Sequence, residues 1–238
     1  LHSLPIPAHC EIVLEGEISP TETRSEGPFG EFMGYYASHA SEQPIVKIKR
    51  VYYRTNPILT LAIPSRPPEN FTFARATVKS AMIWEEVEKA GLPGVQGVWC
   101  MEPGGGRPFN VVSIKQAFAG HAKQALLLAA GAHAANYLGR FVVVVDEDID
   151  PTNIHDVTWA MASRCDPEQD IDIIRRAWSS PLDPMVPPAA APFNLRGLID
   201  ATIPWERRES FPAVVVDPDY ARETRRKWGH LVDAAPND

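Results

Sequence analysis

Apolar positions mix with polar ones near the start of the chain, over residues 9–18 and again over residues 45–63. Val46, Ile48 and Val51 belong to the first part of the second run, and Ile58, Leu59, Leu61 and Ile63 to its end. The pattern reads as a strand and then one or two more, broken by a turn at Asn56-Pro57. Two or three strands alone are marginal, so they need partners. After the breaker Pro64-Ser65-Arg66-Pro67-Pro68 the period changes. A helix is expected from about Phe73 to Ala90, stopped at Gly91-Leu92-Pro93. Residues 95–101 and 111–114 read as strands, with Gly104-Gly105-Gly106 between them. A single long Ala-rich helix is expected over residues 120–138. Residues 141–145 are wholly apolar, as in a parallel sheet covered on both faces. Asn153 fits an N-cap for a helix reaching Ala162. Residues 179–192, rich in Pro and Ala, read as a loop. Asp217-Pro218 reads as cap and first position of a last helix ending near Trp228.

Strands alternating with helices predict an α/β domain with a mainly parallel sheet. The expected division is residues 1–68 as a strand-rich part, 69–92 as a linker helix, and 93–238 as the α/β domain. The last helix carries Arg222, Arg225, Arg226 and Lys227 with few apolar residues, so it is expected to pack on a second copy of the chain.

Charge narrows the functional classes. Against 30 acidic residues stand 23 basic ones, a formal charge of −7, which argues against general nucleic-acid binding. Lys47, Lys49 and Arg50 read as a solvated strand face. Cys10, Cys100 and Cys165 form no CxxC pair or zinc spacing and read as reduced cytosolic thiols. The longest apolar runs are too short to span a bilayer.

Several segments are candidates for chemistry. Glu26-Gly27-Pro28-Phe29-Gly30-Glu31 brackets two carboxylates around residues that break helix and strand alike. A turn or bulge at the glycines would bring both acids to one side. Two carboxyls sharing a small site do not ionise independently, so one can hold a proton and donate it. The alternative is a solvated acidic turn. Gly104-Gly105-Gly106 invites a phosphate-loop reading but lacks the flanking pattern, which favours a flexible hairpin. Asp146, Glu147, Asp148 and Asp150 follow a buried strand, where α/β folds place ligands. Capping and salt bridges between subunits are favoured there over a metal. His121 and His133, about 120° apart on one expected helix, read as packing residues. Lys115, just past a strand end, could meet a phosphate or be an ordinary surface lysine.

The order of several blocks resembles the UbiD-like decarboxylases, the family of 3-polyprenyl-4-hydroxybenzoate carboxy-lyase and ferulic acid decarboxylase. Residues 7–16 precede the hexad and Gly34-Tyr35-Tyr36 follows it. Ser113-Ile114-Lys115-Gln116 with Gly120-His121-Ala122-Lys123 comes next. Then come residues 142–151 with residues 159–167, and last Gly197-Leu198-Ile199-Asp200-Ala201-Thr202. The resemblance implies a cytoplasmic carboxy-lyase using prenylated FMN, supplied by a flavin prenyltransferase. Its substrate would be an aromatic or α,β-unsaturated carboxylic acid. Glu31 matches the acid that protonates the decarboxylated carbon, and Glu26 the second acid. Thr72, after a proline-rich segment, matches the start of the helix lining the substrate pocket. The early strands would belong to an incomplete split β-barrel of flavin-reductase type. Family members are longer at the N-terminus, and the chain begins at Leu1, so it reads as a C-terminal half. A catalytic arginine, and ligands for a divalent metal (Mn or Mg) and K+, are expected in the other half. The family also implies a homodimer or higher homo-oligomer. The competing class is a non-catalytic oligomerisation module, or a subunit that needs a partner chain.

Overall fold

A computed structural model describes residues 5–36, 40–187, 192–211, 214 and 216–232. It contains two compact units, residues 1–202 and 203–238.

The first unit opens with β1 (Ile12–Glu26) and β2 (Ser41–Tyr53), a two-stranded antiparallel sheet. Register shifts after Glu15 and Ile18 give the long hairpin its irregularities. The expected strand at 9–18 thus runs further than its alternation shows. Residues 54–63 form no strand, although their apolar pattern predicted one. Ile58, Leu59, Leu61 and Ile63 are exposed and have no neighbouring strand among the described residues. Lys47 and Lys49 pair with Glu22 and Glu17, and Arg50 lies 3.7 Å from Glu15, so the basic cluster is a solvated strand face.

After α1 (Thr72–Lys89) come β3 (Val95–Cys100), β4 (Phe109–Ile114), α2 (His121–Gly131), α3 (His133–Asn136), β5 (Phe141–Asp146), α4 (Ile154–Arg164), β6 (Ile171–Trp178) and β7 (Phe193–Ala201). They form a five-stranded sheet in the order β3-β4-β5-β7-β6. The sheet is mixed, not mainly parallel. β4, β5 and β7 run parallel, while β3 and β6 join the edges antiparallel. The reason is connection type: the described residues of the 101–108 and 179–192 connections contain no crossover helix, so the chain returns alongside its previous strand. β6 and β7 were not expected as strands; charged residues in β6 and Arg196 in β7 obscure the apolar run.

Side-chain alternation divides the core. Val142, Val144 and Leu198 join Ala76, Ile83, Val87 and Leu126 of α1 and α2. Val143, Val145 and Ile199 join Val157 and Ala160 of α4 on the other face. Asn153 caps α4, its Oδ1 accepting from the His155 amide at 3.0 Å.

The Ala-rich helix is broken, contrary to expectation. Ala132 leaves helical geometry at ψ 133°. Asn136 Nδ2 donates to the carbonyls of Gly131 and Ala132. Buried Arg196 donates to the Ala130 and Asn136 carbonyls. A cation at a helix C-terminus meets its negative end and stabilises the stop. The one-helix rotation argument for His121 and His133 therefore lapses. His121 is buried and accepts from the Ala117 amide at 3.2 Å, and His133 stacks on Trp178.

The loop after β6 is ordered through Val186 around Asp183, which accepts from Ser179, Asn194 and Arg140; residues 188–191 lie outside the described residues.

The second unit holds a 3₁₀ turn (Trp205–Ser210) and α5 (Pro218–Val232). Asp217 Oδ1 caps α5 by accepting from the amides of Asp219 and Tyr220 at 2.8 and 3.1 Å. Tyr220, Trp228 and Leu231 form an exposed apolar stripe on it. Among the described residues no helix is long and apolar enough to cross a membrane.

Candidate active site

The acidic hexad ends β1 and enters a tight turn. Glu26 is the last residue of the strand, exposed and in register with Ser41. Glu31 is half-buried. Its amide donates to the Tyr35 carbonyl at 2.9 Å, and its carbonyl accepts from the Gly34 amide at 2.7 Å. Gly34 makes this turn possible: its φ is +79°, and a Cβ there would stand 2.8 Å from the Arg66 backbone.

The next residues of the turn wall a cavity of about 610 Å³, in the size range of small-molecule sites. Phe32, Met33, Tyr35 and Tyr36 form one side, and Phe109, Leu138, Phe141 and Met185 line others. The Arg140–Asp183 ion pair supplies a polar corner. The cavity therefore lies where the N-terminal segment meets the starts of β4 and β5.

The glycine triplet makes that meeting close. Gly105 and Gly106 have φ of +75° and +66°. A Cβ at Gly105 would lie 2.7 Å from Met33 Sδ, and one at Gly106 would lie 3.2 Å from the Thr72 carbonyl oxygen. The triplet is a hairpin connection, but a pinned one and no phosphate cradle. The amides of Gly104, Gly105 and Gly106 all donate to the carbonyls of Met101 and Glu102.

Two guanidinium groups flank the turn. Arg75 Cζ lies 5.4 Å, and Arg107 Cζ 5.0 Å, from the centre of the Phe32 ring; Arg107 is also 5.1 Å from the Tyr137 ring. Arg75 donates to the Gly105 carbonyl and to Glu69, each at 3.2 Å. The Phe71 amide bond to Glu69 holds that carboxyl below the ordinary range, aided by Thr72 and Arg75. Burial lowers the Arg107 pKa and Arg75 lowers it further, while Tyr137 and the Glu31 carboxylate oppose the fall. Nearby, buried Lys79 donates to the Tyr137 carbonyl at 2.9 Å, and its pKa is pushed down to about 8 by desolvation. Burial pushes the Cys100 thiol up to about 11.

The other predicted residues fall elsewhere. Thr72 is fully buried, but its hydroxyl donates to Glu69 Oε1 at 3.1 Å, and the residue does not line the cavity. Lys115 follows the far end of β4, roughly 20 Å along the strand from Phe109. Its side chain is mostly exposed and lies 3.8 Å from Glu147. The acidic run forms ion pairs and turn caps within the chain. Arg164 bonds Asp146 and, through two nitrogens, Asp148, whose carboxyl these bonds hold low. Asp150 caps Thr152. No cluster of three His, Cys, Asp or Glu able to hold a metal occurs among the described residues.

Sequence reasoning missed Phe32, Arg75, Arg107 and the cavity itself. The glycine triplet just before Arg107 was the available signal of close approach.

Residues 72–201 match the 3-octaprenyl-4-hydroxybenzoate carboxy-lyase C-terminal domain, and residues 1–67 match that enzyme's Rift-related domain. The chain is 35% identical over 236 residues to a phenolic acid decarboxylase of Bacillus subtilis, covering 98% of this chain and 49% of that protein. It is 37% identical over 232 residues to a phenolic acid decarboxylase of Sedimentibacter hydroxybenzoicus, covering 96% and 47%. Among solved structures it resembles the UbiD-class enzyme HmfF from Pelotomaculum thermopropionicum in complex with FMN. The TM-score is 0.78 at 30% identity, over 97% of this chain and 48% of that one. An evolved dimeric form of the same enzyme in complex with prFMN gives a TM-score of 0.71 at 28% identity, over 93% and 46%. The chain spans about half the length of the curated relatives it matches. It belongs to the UbiD family of carboxy-lyases.

Proposed function

We propose that this chain supplies the proton donor and part of the substrate cavity of a non-oxidative decarboxylase of phenolic acids that uses prenylated FMN. One observation carries the reading: half-buried Glu31 directly precedes the aromatic residues that wall the cavity. A planar aromatic acid suits walls of Phe, Tyr and Leu, which exclude water and orient the ring by contact. An α,β-unsaturated acid with a phenyl group would fit on the same grounds.

The described residues match the prenylated flavin only in part. The aromatic cavity suits a ring system, but metal ligands are lacking and Lys115 lies far from the cavity. Phosphate and metal (Mn or Mg, with K+) would therefore be held by segments beyond those described, and a flavin prenyltransferase would supply the cofactor. When bound, the prenylated flavin supplies the electron sink that lets CO2 leave. This chain's part is acid catalysis. Glu31 delivers a proton to the vacated carbon, and Glu26, at the strand end before it, acts as the second acid.

The β1–β2 hairpin would be part of a split β-barrel, with residues 1–68 as the cofactor half, 69–92 as linker and 93–238 as the assembly half. The exposed Leu14, Ile18, Val46 and Ile48 await the remaining strands. Without them the chain would be inactive. Assembly into a homo-oligomer would use the Tyr220–Trp228 stripe of α5.

The test is decarboxylation in D2O by the flavin-loaded holoenzyme. A phenolic acid should yield CO2 and a phenol carrying one deuterium on the vacated carbon. Failure to release CO2 from any of a panel of phenolic and α,β-unsaturated acids would overturn the reading.

A further inference from the structure

Glu31 belongs to the N-terminal segment, not to the α/β sheet, and does not itself line the cavity, so something must hold it beside the wall that Phe32 and Met33 form. The only side chain buried in its turn, among the described residues, is Phe32. Three residues from two parts of the α/β half converge on that ring. Arg75 of α1 and Arg107 of the β3–β4 connection place their guanidinium carbons 5.4 and 5.0 Å from its centre. Gly105 lies so close that a Cβ there would stand 3.3 Å from the ring and 2.7 Å from Met33 Sδ.

The two cations are not equivalent. Arg75 meets the Phe32 ring too, but its guanidinium is already hydrogen-bonded to Glu69 and to the Gly105 carbonyl. Arg107 forms no ion pair with a described carboxylate; the carboxylate acting on its charge is that of Glu31. It also meets the Tyr137 ring at 5.1 Å, beyond the turn. A planar guanidinium can lie against two rings at once, which an ammonium does less well. Arg107 thus touches the α/β core through Tyr137 and the acid-bearing turn through Phe32.

We propose that Arg107 is a positioning residue for Glu31: stacked on Phe32 and Tyr137, it seats residues 30–36 against the α/β core and holds the acid at the cavity. The catalytic consequence rests on Glu31 being the proton donor; the seating does not.

Hydrogen exchange of the chain itself tests the seating. The amides of Glu31 and Gly34, bonded within the turn, report on it directly. Arg107→Gln should speed their exchange about tenfold, the scale of one lost cation–π contact, with sheet amides such as Val143 unchanged. Phe32→Leu keeps an apolar side chain but removes the ring, and should loosen the same two amides. Turn amides within twofold of the unsubstituted chain in both variants would overturn the proposal. In the holoenzyme, Arg107→Gln should lower kcat about tenfold with KM little changed, and Arg107→Lys should recover part of the rate. A raised KM with kcat intact would instead make Arg107 a substrate contact and overturn its positioning role. If the turn loosens while Glu31→Gln retains full activity, the seating stands and the assignment of Glu31 as the acid falls.

Discussion

The β1–β2 hairpin and the five-stranded sheet use the same apolar residues and leave them in opposite conditions. Val143 and Val144 are 0% exposed, whereas Val46 and Val51 are each 52% exposed. The sheet has α1 and α2 on one face and α4 on the other, so its strands can be apolar throughout. The hairpin has no such cover among the described residues, and its exposed ion pairs, worth about 0–1 kcal/mol each, do not replace it. What differs is not strand propensity but the presence of something to pack against. Phe32 is the exception that joins the regions: it belongs to the N-terminal segment but is buried by the α/β half.

Substitutions can break this comparison. The largest stability effect should come from Leu198→Ala in β7, which removes a fully buried side chain between α2 and the sheet. A loss of about 2–5 kcal/mol is expected in urea unfolding. Leu14→Ala, at a position 56% exposed, should cost less than about 0.5 kcal/mol in the same assay. Comparable losses at the two sites would show that the hairpin has a core of its own.

Lys79 sharpens the comparison within the α/β half. Its folded pKa of about 8 lies below the ordinary 10.5. Below pH 8 both states hold the proton, and the folded state bears the full cost of a buried ammonium. Between about pH 8 and 10.5 the unfolded chain binds more protons, so stability rises with pH. The unfolding free energy of the unsubstituted chain should therefore gain on that of Lys79→Met across this window, by up to about 3 kcal/mol. A constant difference from pH 7 to 10 would refute the shift. A smaller effect than those at Leu198 and Lys79 is expected of Asn153→Ala. Loss of the α4 cap should cost about 1 kcal/mol, measurable as a lower unfolding midpoint.

The elements that were legible in the sequence carried their own signals. The valine run of β5, the Asn153 cap and the Asp217-Pro218 start of α5 are local features, and local physics determines them. The break at Ala132 was not legible, because Arg196, distant in sequence, takes the Ala130 carbonyl that a continuous helix would have used. Residues 54–63 show the reverse failure: an apolar-polar pattern describes a face, and among the described residues no strand lies beside it to complete a ladder. The acidic hexad was visible as a candidate site. Its setting was not, since Phe32, Arg75 and Arg107 meet only through the long-range packing of the glycine triplet.

The most direct measurement is the turnover of a phenolic acid by flavin-loaded holoenzyme carrying Glu31→Gln, a change that keeps the shape of the side chain and removes its acid. CO2 release should fall by about 10²–10⁴-fold, the usual loss for one positioned acid, with flavin content unchanged. Turnover within threefold of the unsubstituted enzyme would contradict the assignment of Glu31 as the proton donor.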